Sequence, residues 1–498
     1  MNNVCMFAGL DIGSTNAKFS IYSGEGRLIA EAVQGYMTAA AGKPMIAEEI
    51  WEAAQQVMIT ACAKLPPNSQ IAAMAISTFG EAIIPIDTHG RVLSDQFIFS
   101  FTEGDEELRQ ILKQVPAERI QSITGVFPHK HFSLIKMLWL RLHTPLYKQI
   151  DKYLQMEDFL LYRLTGRFAV SDSSAARTMA YDCKNHCWSQ PLLDLVGVSA
   201  DKLSEILPSG SYVGVVRREI CDKLGLSGEM RVYAGGHDQM CNALGAGLLD
   251  LETMINCSGT VECISGVADL KQTETLKQTL SLQFAPYPQH TELCFSFWAP
   301  VAGCSSLDWC LRLTSGQPHM KDRELAGRHI SMQELCSERP SSLLIVPYFT
   351  GRNNPKFSET APSLVCGMTL KTTPQEFYQS IMEGIAFELK LCLEQFLLLS
   401  SDRQRMIVTG GGARSDYWSQ MKANILCMPT SALEHRQAGT MGAMLLAAVG
   451  FGYYRDLQEA AASCIRLRKT FYPQERICDL FEEKFNWYNI LRQGCLME

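Results

Sequence analysis

Twice along the chain an apolar strand runs into a turn of small polar residues and returns as a second strand. The first is Val4–Ile12, Gly13-Ser14-Thr15-Asn16 and Ala17–Tyr22; the second is Thr253–Cys257, Ser258-Gly259-Thr260 and Val261–Val267. Each strand carries apolar residues at the spacing of a buried or half-buried strand, and each turn holds Gly and hydroxyl residues. A chain that restarts its opening plan in this way points to two halves of similar design. The length of 498 residues is too great for one core and requires at least two domains. The boundary is expected near 250, where Gly247-Leu248-Leu249-Asp250 leaves a helical stretch. That gives an N-terminal lobe over residues 1–250 and a C-terminal lobe over residues 251–498.

Between the two hairpins, strand and helix patterns alternate. Short apolar strands are expected at Ile71–Ser77, Ile83–Asp87 and Arg231–Gly236, and helices at Ala47–Leu65, Glu103–Gln114, Ser133–Leu142 and Gln239–Gly247. In the second half, Phe377, Ile381, Ile385, Leu389, Leu393 and Phe396 recur at helical spacing through Glu376–Leu399, with Pro374 near the start. Met406–Thr409 then reads as a strand running into Gly410-Gly411-Gly412, followed by a helix over Ser415–Leu426. The alternation makes the class α/β.

Composition narrows the function classes. A net charge of −7 gives no basic field for a phosphate backbone, so neither nucleic acid nor an anionic membrane surface is an expected partner. The start of the chain, Met1–Gly9, has no basic n-region, and the longest apolar run, Met441–Tyr454, falls short of the roughly 20 residues a membrane span needs. The 18 cysteines sit in apolar stretches such as Leu391-Cys392-Leu393, where cysteine is a small core residue; a reduced, cytoplasmic setting is expected. Cys183, His186 and Cys187 form one close group, but no second pair follows at zinc-site spacing.

Three segments can do chemistry. In Asp11-Ile12-Gly13-Ser14-Thr15, successive backbone N–H groups and two hydroxyls can cradle phosphate oxygens, and Asp11 can hold Mg²⁺ through water. The same turn also serves as a hairpin that uses Gly and Ser for geometry alone. Gly410-Gly411-Gly412 after a strand lets a ligand approach the backbone, although flexible turns use such triplets too. In Gly235-Gly236-His237-Asp238-Gln239, Asp238 can take a proton from an attacking hydroxyl; the competing reading is an N-cap for the helix that follows. No Walker motif or protein-kinase glycine loop is present.

In order, these segments, with Glu383-Gly384-Ile385-Ala386, Trp418 and Gly439-Thr440-Met441-Gly442-Ala443, resemble the FGGY family of carbohydrate kinases almost end to end. The resemblance implies a two-lobed actin-like ATPase (ribonuclease H-like) fold made of a duplicated domain. The implied activity is ATP- and Mg²⁺-dependent phosphorylation of a hydroxyl of a small sugar or polyol. Asp238 would be the general base, Asp11 the Mg²⁺ residue, and Ser14 and Thr15 the phosphate contacts of the first lobe. Gly259 and Thr260 would form the phosphate turn of the second, with Gly410, Gly411 and Ser415 against the adenosine. Gly80, Glu81 and Gln239 would join Asp238 at the substrate. The lobes would close to exclude water, and a homodimer is a further expectation from relatives.

The chain departs from the family most clearly at one place. Where members carry Trp-x-Asp-x-Arg, this sequence reads Phe99-Ser100-Phe101-Thr102-Glu103, so an aromatic and an acid replace the Asp and Arg that grip sugar hydroxyls. Lys136-Met137-Leu138-Trp139 also matches the family pattern only in part. A chain of this fold that binds sugar or nucleotide without efficient turnover is therefore the alternative reading.

Overall fold

A computed structural model describes residues 5–37, 45–67, 69–98, 101–276, 283–352, 358, 360–435 and 437–494. The chain forms two compact units. The first is Met1–Leu249 with Gln283–Phe295 and Gln437–Ile465; the second is Asp250–Leu282, Ser296–Arg436 and Arg466–Glu498.

In the first unit, β1 (Met6–Ile12) and β2 (Asn16–Ser23) form the expected hairpin, and β3 (Leu28–Gly35) adds to its edge. After α1 (Ala47–Cys62), β4 (Ala73–Thr78) inserts parallel to β1 on the other side. β5 (Tyr212–Val215) and β6 (Arg231–His237) complete a six-stranded sheet in the order β5-β6-β4-β1-β2-β3. β4 is buried along its whole length and β1 nearly so, which is why both read as continuous apolar runs rather than alternating ones. β6 leads directly into α2 (Asp238–Gly245).

The second unit repeats the pairing plan. β7 (Thr253–Ser258) and β8 (Val261–Asp269) form an antiparallel hairpin, and β9 (Arg405–Thr409) lies parallel to β7 just as β4 lies on β1. The long helix α3 (Pro374–Leu399) precedes β9, and its start is fixed by a capping box. Thr373 Oγ1 accepts from the Glu376 N–H at 3.3 Å, and Glu376 Oε2 accepts from the Thr373 N–H at 3.0 Å, with Pro374 at the first helical position. After β9 come α4 (Asp416–Leu426), then β10 (Thr430–Leu433) and β11 (Leu467–Phe471), which extend this sheet.

Between β10 and β11 the chain returns to the first unit as α5 (Ala438–Gly450). Its glycines allow backbone to touch backbone. A methyl group on Gly442 would lie 1.8 Å from the Cys241 carbonyl oxygen, and one on Gly245 would lie 2.0 Å from that of Ala438. α5 thus packs flush on α2, the helix that begins with Asp238. Among the described residues no helix is long and apolar enough to cross a membrane.

Candidate active site

The first unit gathers Asp11, Ser77, Glu81, Arg177, His237 and Asp238 around the C-terminal ends of β1, β4 and β6. Asp11 stands beside Lys18 on β2 and Ser77 on β4 by strand register. Its Oδ1 accepts from Ser77 Oγ at 2.8 Å, and its Oδ2 lies 3.4 Å from Lys18 Nζ. On its other side a methyl group at Gly439 would come within 3.0 Å of the carboxyl carbon, so the space before Asp11 exists because residue 439 has no side chain. Ser14 and Thr15 are exposed on the adjoining turn, which is closed by the Gly13 N–H donating to the Asn16 carbonyl at 3.0 Å.

A bulge aims Asp238. The register of β6 on β4 shifts between Tyr233 and Gly236, which frees the Gly235 N–H to donate to Glu157 Oε1 at 3.0 Å. Glu157 is itself buried and its Oε2 accepts from Ser171 Oγ at 2.6 Å. Gly235 is required here, since a methyl group would fall 1.7 Å from the Ile76 carbonyl oxygen. Beyond the bulge, the His237 N–H donates to Ser173 Oγ at 3.1 Å. His237 is the cap residue of α2 and Asp238 is its first helical residue, with no side-chain cap hydrogen bond. Asp238 is therefore not the cap residue, although its carboxyl accepts from the Gln239 N–H within the first turn.

That carboxyl is shifted. Burial first, then the negative charges of Asp11 and Glu81, raise it to about 7, although 31% of the side chain remains open. The neighbouring His237, whose Nε2 lies 3.3 Å from Asp238 Oδ1, is held neutral, because burial and then Arg177 push its pKa down to about 3. The contact is thus between a carboxyl and a neutral ring, not an ion pair. Beside it, Gln239 Oε1 is buried with no hydrogen-bond partner among the described residues.

Glu81 adopts a left-handed backbone with φ of 62°, which is uncommon for a residue with a side chain and is held here from both ends. Lys136 Nζ, with no exposed surface, donates to the Glu81 carbonyl at 2.6 Å and to that of Phe97 at 3.3 Å; burial lowers its pKa to about 8. Arg177 donates from Nε to Glu81 Oε1 at 2.7 Å and from Nη1 to Gln283 Oε1 at 2.6 Å. Burial alone would raise the Glu81 pKa, but Arg177 and Lys136 outweigh it and hold the carboxylate below its ordinary range. Gly80 makes room for the arginine, since a methyl group there would lie 2.7 Å from Arg177 Cβ. Sequence reasoning singled out neither Arg177 nor the charge of Lys136. The one signal was a lone cation in an otherwise uncharged run, Ser173-Ser174-Ala175-Ala176-Arg177 and Ser133-Leu134-Ile135-Lys136.

Phe101 lies in the hydrophobic core. It is 8% exposed and packs in the core against Phe97 at 5.5 Å and Trp139 at 6.1 Å between ring centroids. Glu103 is exposed and accepts from Thr102 Oγ1 at 3.0 Å. Phe99 and Ser100 lie outside the described residues.

In the second unit, Gly259 and Thr260 turn between β7 and β8, with Thr260 exposed. Gly410 (φ 81°) and Gly412 close on Ser258: methyl groups would lie 2.6 Å from its carbonyl oxygen and 2.3 Å from its Oγ. Gly411 faces open space, with nothing within 4 Å of such a methyl. Ser415 caps α4 by accepting from the Trp418 N–H at 2.9 Å and donates to Gln333 Oε1 at 2.7 Å. Glycine-lined turns at strand ends, one in the first unit and two in the second, suit the backbone to phosphate-bearing ligands.

Together, the repeated hairpin-plus-parallel-strand plan and these turns are those of a two-domain protein of the actin-like ATPase fold. Residues 6–245 match the N-terminal domain, and residues 277–451 the C-terminal domain, of the FGGY family of carbohydrate kinases. The chain belongs to that family and is a sugar kinase. It is 27% identical over 492 residues to a xylulose kinase of Bacillus subtilis, covering 96% of this chain and 95% of the relative. Among solved structures it superposes on a xylulose kinase of Lactobacillus acidophilus at a TM-score of 0.85 with 21% identity, and on a gluconate kinase of the same organism at 0.84 with 21%. Each match covers 99% of both chains.

Proposed function

We propose that the chain transfers the terminal phosphoryl group of ATP to a hydroxyl of a small sugar or polyol, with Asp238 as the general base. The observation that carries this is the state of Asp238. It is the first residue of a helix rather than its cap, its side chain is 31% exposed, and its pKa is raised to about 7, where a carboxyl can both hold a substrate hydroxyl and accept its proton near neutral pH. Asp238 takes the hydroxyl proton as the new oxygen–phosphorus bond forms, and the bond to the ADP oxygen breaks. Glu81, fixed by Arg177 and Lys136, and Gln239, with its unpartnered Oε1, are the groups for orienting substrate hydroxyls.

Among the described residues no group of three or more His, Cys, Asp or Glu side chains is built to hold a metal. A lone carboxylate at Asp11, 13% exposed and flanked by Ser77 and Lys18, suits Mg²⁺ bound mainly by water and phosphate. Such an ion would neutralise phosphate charge. Ser14, Thr15, Gly259, Thr260, Gly410 and Gly411 are the backbone and hydroxyl groups we assign to the nucleotide, with Ser415 supporting the start of α4. A reducing, cytoplasmic setting suits a chain whose cysteines, such as Cys310 and Cys241, serve as small core residues.

Phe101 in the core and Glu103 in solvent support a substrate grip other than the Asp and Arg that the family resemblance implies. The substrate class this supports is a small polyhydroxylated molecule. A screen of pentuloses, hexuloses, tetritols, glycerol and sugar acids with an ADP-release readout tests the reading. Phosphorylation of one class well above background ATP hydrolysis is expected. Ligand binding without any phosphorylation would overturn it in favour of a binding protein of the same fold.

A further inference from the structure

We propose that Lys422 and Glu262 are positioning residues for the nucleotide's phosphates: a buried ion pair that fixes Ser258 and, through it, both glycine turns of the second unit. The proposal rests on the reading that this unit carries the nucleotide.

The pair is sealed. Lys422 and Glu262 side chains are 2% and 0% exposed, and Lys422 Nζ lies 2.6 Å from Glu262 Oε1. All three ammonium hydrogens have acceptors, the other two being Asn256 Oδ1 at 2.7 Å and Ser258 Oγ at 3.1 Å. The ammonium also sits 4.1 Å from the centre of a Trp418 ring. Glu262 is equally engaged: Oε1 accepts from Asn256 Nδ2 at 2.9 Å and Oε2 from Ser258 Oγ at 2.9 Å.

Ser258 has given its one hydroxyl hydrogen inward to Glu262, so it has no donor for a phosphate. The Gly259 N–H donates to the Val261 carbonyl at 3.3 Å, and the side-chain donor left to this turn is the exposed Thr260 hydroxyl. Ser258 is also the floor on which the other turn rests, because Gly410 and Gly412 close on its carbonyl and hydroxyl. Asn256 and Ser258 on β7, Glu262 on β8 and Lys422 on α4 thus meet at one point, and that point sets the spacing between Gly259-Thr260 and Gly410–Gly412. A buried ion pair adds little net stability over an apolar substitute of similar volume, so geometry is the better reason for this one.

Replacing the pair by apolar residues therefore separates geometry from stability. Wild type, the double variant Lys422→Met/Glu262→Met and the double variant Lys422→Met/Glu262→Gln are titrated with Mg·ADP by calorimetry. Melting temperature and the KM values for ATP and sugar are measured alongside. The Met/Met chain is expected to fold, because no charge is left unpaired, yet to bind ADP about tenfold more weakly, with a matching rise in the KM for ATP and a sugar KM within about twofold of wild type. The Met/Gln chain keeps an amide beside Ser258 and should recover part of the loss. A merely structural pair would move melting temperature and leave ADP affinity alone; ADP affinity in the Met/Met chain within about twofold of wild type overturns the proposal. Should Met/Met not fold, Met/Gln decides: weakening beyond about threefold upholds the proposal, and wild-type affinity overturns it. If wild type itself binds no ADP, it is the assignment of the nucleotide that falls.

Discussion

Arg177 and Glu81 are 96 residues apart in the chain, yet Arg177 Nε donates to Glu81 Oε1 at 2.7 Å while Lys136 holds the Glu81 carbonyl from the other side at 2.6 Å. A carboxylate in a left-handed backbone is thereby fixed in direction, with two cations bonded around it and the Asp238 carboxyl close enough for its pKa to feel the Glu81 charge. Orientation of this kind is what a hydroxyl-binding residue needs, since a carboxylate free to rotate would lose the advantage on each substrate encounter.

Removing the arginine should therefore be felt on the sugar side alone. Arg177→Met is expected to raise the sugar KM by about tenfold or more and to leave the KM for ATP nearly unchanged. The same variant tests the electrostatics. Because the folded pKa of Glu81 is depressed, the ion pair stabilises the fold above the ordinary carboxylate range, and that stability is lost as pH falls through the folded pKa. The stability gap between wild type and Arg177→Met, measured by denaturant melts, should be full at pH 7 and shrink below pH about 4.

Asp238 carries the opposite sign. Its folded pKa is raised to about 7, so the native state favours the neutral acid, and stability declines as pH climbs from the ordinary carboxyl range through 7. Asp238→Asn should consequently melt higher than wild type at pH 8 and equally at pH 3.5 or so, while turnover falls by about 10²–10⁴-fold with ADP binding retained. In wild type, kcat/KM for the sugar should rise with pH to a plateau above about 7. Full turnover in a folded Asp238→Asn chain would remove Asp238 from the role of base.

How far the sequence could be read follows from how far apart the partners lie. Both hairpins were legible because strand, turn and strand are local and each turn is written in Gly and hydroxyl residues. Asp238 was legible as an acid at a strand end, but whether it capped the next helix was not. That depended on a one-residue placement, with His237 taking the cap position, and on a bulge pinned by Glu157 from 78 residues away. The apolar period places the start of α3 at Glu376, whereas a capping box on Thr373 begins the helix two residues earlier, at Pro374. Arg177 and Lys422 were not legible, because their partners lie 96 and 160 residues away and no local spacing encodes a pairing made by the tertiary fold.

Phe101 offers a test of whether the lost clamp can be restored by a single change. Its ring is wedged among Phe97, Trp139 and Gly104, where a methyl group would lie 2.6 Å from the ring. An aspartate here would be a buried, unpaired charge in a cavity left by the ring. Phe101→Asp is expected to cost about 3–5 kcal/mol in a urea melt and to bring no gain in ketose affinity, whereas Phe101→Leu should cost about 1–2 kcal/mol and leave activity near wild type. Tighter ketose binding by a stable Phe101→Asp chain would show that the position does reach the substrate.

The glycine triplet separates packing from ligand contact within three consecutive residues. Gly410 and Gly412 are needed by the protein itself, because side chains there would strike Ser258, and Gly410 also has a φ that favours glycine. Gly411 meets nothing, so a methyl group at that position costs the free protein little. Gly412→Ala should thus lower the melting temperature and weaken nucleotide binding together. Gly411→Ala should melt within a degree or two of wild type yet raise the KM for ATP by about three- to tenfold, provided the nucleotide lies against that backbone. Thermal melts and ATP titrations on the two variants decide it: equal ATP affinity in wild type and Gly411→Ala would place the nucleotide elsewhere, and the assignment of Gly410 and Gly411 would then have to be withdrawn.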